Sequence, residues 1–572
     1  MTETTPARLS PAEQDRAFRP AATAGLEIGA LQETLRQAGI EAELRGEAAT
    51  IVRGACLDSR VVQPGDLYIA LPGARAHGAQ FAEAAVQAGA HAVLTDAQGL
   101  ALLAEAGIEL PVLVVPVVRT AAGVAAAGVY GHGLDAGPTL LGVTGTNGKT
   151  TTTFLLAALL EALGQRTGVI GTILTRAGQR TVPSSLTTPE STQLHALMAL
   201  MREEQVRTVA MEVSSHAVSF ERISGLRYAV AGFTNLTQDH LDLHGSMQEY
   251  FDAKAALFAA QCCEHAVIVL DGGEGPEWGQ RMAAAVTGAC TTLSLGPAAP
   301  AGAVEPGTAD WTITELTPDG LGHRFTLTHA ATGTALRASV GLPGGFNVAN
   351  AALAVLMVLT SLTGSLAERV ATLAAVVDVP AGEGPLAAAV PGRMEVVSRA
   401  PDGVVDFAHN PDGMVQSLTA LSAARRAAGR QGRTVLVFGA TGDRDASKRA
   451  LMGRIAVEHA DVVIVSDDDP HSEDPASIRA AVLEGARAAA LAAAEQGRHV
   501  EVRESAPRAD AIRLAVELAD EQDTILLAGR GHETAQDFNG RRVEIDDRVE
   551  LRAALATRRA PQFFTDLSQP GR

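Results

Sequence analysis

The chain has 572 residues, enough for three or four domains with separate cores, and its 47% hydrophobic and 19% charged composition excludes a disordered protein. A formal net charge of −19 argues against a general nucleic-acid binder, because phosphate neutralisation needs a basic face. Any anionic ligand must therefore be held by local groups.

Residues 1 to 25 read as a disordered tail. From 26 to 136, apolar strands such as "DLYIALPG" and "AVLTDA" alternate with helical stretches such as "FAEAAVQAGA", the pattern of a small α/β domain, and "GLDAGP" at 133 to 138 reads as a linker. A second domain, 137 to 390, opens with the buried-strand pattern "TLLGVTG" followed by the helical "KTTTTFLLAALLEALG". Within it "GPAAPAGAVEPG" reads as a loop, and "WTITELTPDGLGHRFTLTH" predicts a hairpin around Pro-Asp-Gly. A third domain, 391 to 572, carries "TVLVFGATGDRD", "ADVVIVSDDDP" and "DTILLAGRGHE", three strands that each run into a Gly- or Asp-rich loop. Open α/β sheets bind ligands at the carboxyl ends of their strands, so these loops are expected to face one cleft.

Cys56, Cys262, Cys263 and Cys290 show no metal-ligand pairing and read as reduced thiols of a cytoplasmic protein. The polar N-terminus has no signal-peptide core, and no apolar run reaches the ~18 residues of a membrane span. The longest run, at 351 to 359, reads as a buried helix. Neither a membrane nor a nucleic acid is an expected partner, and a monomer is the default.

The strongest local motif is "GTNGKT", spanning Gly145, Thr146, Asn147, Gly148, Lys149 and Thr150, with Thr151 following. Glycines let backbone N–H groups curl around phosphates, Lys149 adds a point charge, and the Thr150 hydroxyl can ligate Mg²⁺. The spacing is shorter than the common phosphate loop, since Val143 stands where that loop has its first glycine. Glu212 ends the strand in "MEVSSH", His240 lies in "FTNLTQDHLDLHG", and Lys254 sits on an apolar helix in "YFDAKAALF". Singly these read as a surface acid, a loop histidine and a snorkelling lysine; together they offer the ligands that Mg²⁺-bound ATP requires. The acidic run "SDDDPHSEDP" at 466 to 475 reads, by itself, as an exposed solvated loop, with a metal site or a recognition device as the alternatives.

Taken in order, "GTNGKT", "LTTPES", "MEVSSHAV", "TNLTQDHLDLHG", "YFDAKAALF", "GGFNVANAALA", "PGRMEVV", "VDFAHNPDGM", "FGATGDRDASKR" and "GRGHE" resemble the Mur ligase family, over roughly 50 to 540. The chain looks like the members that add the third amino acid of the peptide. The resemblance implies a three-domain α/β architecture with a central phosphate-loop ATPase domain and a C-terminal Rossmann-like domain. It implies an ATP-dependent ligase of peptidoglycan precursor synthesis that adds a diamino acid to UDP-N-acetylmuramoyl-L-alanyl-D-glutamate through an acyl phosphate.

By the same resemblance Thr150 and Glu212 would hold one Mg²⁺, and His240 and Lys254 a second, with Lys254 as N6-carboxylysine made from CO₂. Lys149, Lys254 and His240 would be the catalytic residues. Asn347, Arg393 and Asp406 match positions around ATP, and Leu57 and Ser59 match uridine-side contacts. Thr187, Thr188, Ser214 and Arg222 match sugar and peptide contacts. Phe220 and the stretch at 74 to 76 depart from the family pattern on the uridine side.

Arg444, Gly529 and Glu533 match residues that hold the amino and carboxyl groups of the incoming amino acid. The recognition loop reads Asp468, Asp469, Pro470, His471, where diaminopimelate-adding members read Asp-Asn-Pro-Arg. Losing a charge-assisted pair costs about 1.5 to 3 kcal/mol, and Asp469 would add repulsion toward a distal carboxylate. L-Lysine or L-ornithine is therefore expected over meso-diaminopimelate; the alternative needs a replacement cation, for which Lys448 and Arg449 are candidates. More distant alternatives are a folylpolyglutamate-synthase-like ligase and a non-catalytic ATP-binding module.

Overall fold

The computed structural model describes residues 10–559, except 74, 132–136, 185, 273–276, 300–303, 306, 320–321 and 428. The departure at 74, most of the expected linker, and parts of the 296–307 loop and of the 1–25 tail lie outside the described residues.

Three principal sheets follow one another along the chain. The first has five strands between Glu43 and Val114, four of them parallel, with Glu43–Arg45 antiparallel at one edge. The second has eleven strands between Thr139 and Val340. Its strand Thr139–Thr144 lies between Thr208–Glu212 and Tyr228–Phe233, both parallel to it, with Glu212 beside Val143 and Phe233 beside Thr144. This register carries the chain segments that leave all three strands to the same edge as the glycine turn.

Strands buried on both faces need apolar residues in both alternating sets, and Thr139–Thr144 supplies them. Leu141 and Val143 pack with Leu155, Leu159, Leu353 and Met357 of two covering helices, Lys149–Ala162 and Gly345–Ser361. Leu140 faces the opposite core, with Leu194 and Leu197 of the helix Ser191–Glu203. The apolar run at 351 to 359 is thus a core helix, and among the described residues no helix is long and apolar enough to cross a membrane.

The expected hairpin is present: Trp311–Asp319 pairs antiparallel with Gly322–His329. Pro318 and Asp319 belong to the strand, paired with His323 and Gly322.

The third sheet has six strands, and its four inner ones, Asp402–Val405, Thr524–Leu527, Thr434–Phe438 and Val462–Val465, are parallel. Alternation sends Leu436 and Phe438 to one core and Val435 and Val437 to the other. The loops after these strands all leave from one edge.

Residues 10–19 correct the expectation of a disordered tail. Ser10 and Glu13 form a reciprocal capping box at the start of the helix Pro11–Phe18, and Phe18 is buried in the core. Arg19 then pairs with Asp15 at 2.8 Å and with Asp66 of the first sheet at 2.7 Å. The polar composition of the segment conceals one apolar anchor and one arginine that fix it.

Candidate active site

The strand Thr139–Thr144 ends in the glycine turn and the helix Lys149–Ala162 starts directly after it, so the unpaired first-turn N–H groups face the loop. Gly148 has φ +88°, and a Cβ there would lie 2.3 Å from Asn350 Oδ1; at Gly145 it would lie 1.9 Å from Thr234 Oγ1. Neither position has room for a side chain. Lys149 Nζ donates to the carbonyls of Gly145 at 3.0 Å and Thr146 at 2.9 Å, and Lys254 Nζ donates to the same Gly145 carbonyl at 2.9 Å. Burial lowers the pKa of both amines, and the neighbouring Lys149 lowers Lys254 further. Two amines and a helix N-terminus around one loop form a cradle for a polyanion.

Beside it, Thr150 Oγ1 donates to Glu212 Oε2 at 2.9 Å, and Glu212 also accepts from the Thr172 N–H at 2.9 Å and hydroxyl at 3.1 Å. Hydroxyl and carboxylate oxygens are the donors that Mg²⁺ prefers. His240 adopts a left-handed conformation, φ +53°, with its ring centroid 5.0 Å from that of His216. Burial lowers its pKa to about 4, so the imidazole is neutral and keeps a lone pair for a cation. The residue types fit a divalent ion. Lys254 is buried, with Nζ 4.3 Å from the Tyr250 ring centroid, and as an amine it offers no anionic oxygen.

A cleft of about 830 Å³ runs between the second and third sheets and is lined by Thr146–Thr151, Glu212, His240, Asn347, Arg393 and Asp406, among others. The Arg393 guanidinium lies 4.0 Å from the Phe407 ring centroid and 3.5 Å from Thr150 Oγ1. Asp406 has its carboxylate committed to the N–H groups of Met394 (2.7 Å) and Ala408 (3.1 Å) and to the Ser417 hydroxyl (2.7 Å), so it shapes the cleft wall. Asn347 donates to the Pro343 carbonyl at 2.8 Å. The third sheet's segment also touches the phosphate loop: Asn147 Nδ2 donates to Asp412 at 2.7 Å.

Thr187, Ser214 and Arg222 line the same cleft, whereas Thr188 is buried and spends its hydroxyl on the Glu212 carbonyl at 2.9 Å. Ser214 caps the short helix Ser215–Ser219, and Arg222 pairs with Glu190 at 2.9 Å. Phe220 is partly exposed, with Arg119 and Arg222 at 5.8 and 5.7 Å from its ring. Leu57 and Ser59 stand on the first sheet's unit, outside the lining of this cleft, with Ser59 opening a tight turn capped by Asp58.

At the far end Arg444 and Glu533 line the cleft. Gly529, φ +107°, brings the backbone against Asp468, where a Cβ would lie 2.7 Å from Oδ2. Asp469 is not a free acid. Arg530, with no exposed surface, pairs with Asp469 at 2.9 Å, with Glu533 at 3.4 Å and with Asp468 at 3.5 Å. His471 turns to Asp537, with Nδ1 3.3 Å from its carboxylate. Of the two candidate replacement cations, Arg449 is buried and committed to Glu473 at 2.8 and 2.9 Å.

Comparison with known proteins fits this geometry. Residues 51–130 match the Mur ligase family catalytic domain, 143–358 the Mur ligase middle domain, and 392–531 the Mur ligase glutamate ligase domain. A Corynebacterium glutamicum protein named UDP-N-acetylmuramoyl-L-alanyl-D-glutamate–2,6-diaminopimelate ligase is 43% identical over 90% of this chain and 94% of its own length. The chain belongs to the Mur ligase family. A Leifsonia xyli relative of this Mur ligase, named UDP-N-acetylmuramyl-tripeptide synthetase, is also 43% identical, over 90% of this chain and 93% of its own. A solved UDP-N-acetylmuramoyl-L-alanyl-D-glutamate–2,6-diaminopimelate ligase superposes with a TM-score of 0.61 at 29% identity, over 93% of this chain and 99% of the other.

As a Mur ligase the protein is an ATP-dependent, amide-bond-forming enzyme of peptidoglycan precursor synthesis, which removes the non-catalytic module and the folylpolyglutamate-like ligase as readings. The Corynebacterium glutamicum relative and the solved structure are named for 2,6-diaminopimelate, which favours the alternative over the expected lysine or ornithine, whereas the Leifsonia xyli name specifies no amino acid. In the recognition loop Asp469, read from sequence as a free repulsive acid, is paired with Arg530. Arg530, Thr172 and Asp412 were not among the expected site residues. Arg530 lies inside "GRGHE" and Asp412 inside "VDFAHNPDGM", whereas Thr172 carries no signal until the strands are aligned.

Proposed function

We propose that this Mur ligase joins an amino group of 2,6-diaminopimelate to the D-glutamate carboxylate of UDP-N-acetylmuramoyl-L-alanyl-D-glutamate. The observation that carries the reading is the 43% identity, end to end, to a relative bearing that name. The Arg530–Asp469 pair supports it, because it quiets the acid that would repel a second carboxylate.

In the proposed reaction a carboxylate oxygen attacks the γ-phosphorus of ATP and ADP departs. The deprotonated amine then attacks the acyl carbon and inorganic phosphate leaves. Lys149 and the helix N-terminus offset charge on the phosphoryl oxygens. Magnesium, when bound, neutralises phosphate charge, and Thr150, Glu212 and His240 are its proposed ligands, in up to two sites. Lys254 joins them as N6-carboxylysine: its neutral amine, favoured by burial, adds to CO₂ with loss of one proton. Asn347 and Arg393 face the nucleotide, with Asp406 shaping the wall. Thr187, Ser214 and Arg222 face the muramoyl peptide, and Leu57 and Ser59 the uridine.

We read the chain as three units divided near 136 and 390, working as a cytoplasmic monomer without nucleic-acid or membrane partners. Closure of the third unit over the cleft would exclude water from the acyl phosphate.

The test is phosphate release by the purified enzyme with ATP, Mg²⁺ and UDP-muramoyl dipeptide, supplied in turn with meso-diaminopimelate, L-lysine and L-ornithine. Diaminopimelate should be used with the highest kcat/KM, and the variant Lys254→Ala should lose at least about a hundredfold in kcat. Use of lysine or ornithine alone would overturn the substrate assignment, and full activity of Lys254→Ala would overturn the carbamate.

A further inference from the structure

We propose that Arg530 sets the charge of the amino-acid pocket and thereby the choice between a diamino acid with two carboxylates and one with a single carboxylate. The inference rests on the diamino-acid reading of the cleft.

Asp468, Asp469 and Glu533 each bring a carboxylate oxygen to within 4.8 Å of the others. Arg530 pairs with all three, at 2.9, 3.4 and 3.5 Å, while burial and the two aspartates hold Glu533 toward its protonated form. Its side chain has no exposed surface and that of Asp468 is buried, so water screens that pair little, while Asp469 and Glu533 keep partial exposure. Asp468 and Asp469 against one guanidinium leave residual negative charge, and each further unit of it weighs against a ligand that carries a second carboxylate.

Other groups also hold the scaffold. Arg508, also without exposed surface, pairs with Asp547 at 2.6 Å and donates to the carbonyls of Asp467 at 3.2 Å and Ala528 at 2.9 Å. Gln536 Nε2 donates to the carbonyls of Asp467 at 3.2 Å and Asp468 at 2.7 Å. Asp469 is held a second time by the Asp537 N–H at 3.0 Å. The acidic loop and the Ala528–Glu533 loop are thus also tied together by groups other than Arg530, which adds charge and one hydrogen bond to the Ala535 carbonyl. In a low-dielectric pocket that charge discriminates between ligands more than it adds to affinity in general.

The test compares kcat/KM for meso-diaminopimelate and for L-lysine in the full-length enzyme and in the variants Arg530→Met and Asp469→Asn, with folding checked by thermal melting. Arg530→Met should lower the diaminopimelate-to-lysine ratio about ten- to hundredfold, and Asp469→Asn should raise it. A ratio that stays within about twofold while both rates fall together would overturn the proposal and leave Arg530 a purely structural residue. If Arg530→Met does not fold, Asp469→Asn decides, since that side chain keeps its acceptor oxygen: an unmoved ratio overturns the proposal. A wild-type enzyme that forms neither amide would overturn the underlying functional reading instead.

Discussion

Glu533 couples the pocket to pH. Burial first, then the charges of Asp468 and Asp469, raise its pKa to about 8, against the opposing pull of Arg530 and Arg393. To accept an ammonium group from the incoming amino acid it must be ionised, so the KM for that amino acid should fall as pH rises from about 7 to about 9. Steady-state kinetics over that range check this, and a KM flat across it would refute the role. The stability sign is opposite. A raised folded pKa favours the protonated folded form, so the contribution of Glu533 to stability is full below the ordinary value of 4.5 and is lost as pH rises through about 8. His240, held to about 4 by burial, stays neutral throughout that range.

The turn between Thr144 and Lys149 is the element on which nucleotide binding rests, and its geometry is legible from four letters, Gly-Thr-Asn-Gly, between a strand and a helix pattern. A side chain at Gly148 would meet Asn350 and would also force a left-handed conformation, which costs an L-residue about 1 to 2 kcal/mol. Gly148→Ala should therefore weaken ADP binding by at least about tenfold, measured by titration calorimetry; unchanged affinity would show that the loop relaxes around the methyl group. The helix Pro11–Phe18 shows the opposite case. Its capping box, Ser10 to Glu13, was present in the sequence, but its packing on the helix Ser191–Glu203 and the pairing of Arg19 with Asp66, 47 positions away, arise only in the fold.

At the scale of the molecule, the cleft exists because the third sheet's segment reaches the phosphate loop of the second. The bond from Asn147 to Asp412, at 2.7 Å, joins residues 265 positions apart. Asp412→Ala should raise the KM for ATP about five- to thirtyfold, as expected for about 1 to 2 kcal/mol of lost hydrogen bonding, while the melting temperature barely moves. A KM for ATP that does not change would mean that the contact plays no part in assembling the site. The sequence by itself determined the α/β class, the phosphate loop and most of the residues that meet in the cleft, because glycine turns, strand alternation and ordered motifs are local signals. Only the tertiary structure decided which of those residues are free to act. Asp406, Thr188 and Arg449 are consumed by backbone groups or by a paired charge. Asp469, read as a repulsive acid in "SDDDPHSEDP", is neutralised by Arg530 from a loop 61 positions away. A residue's effective charge depends on the counter-charge and dielectric around it, and both are properties of the folded chain.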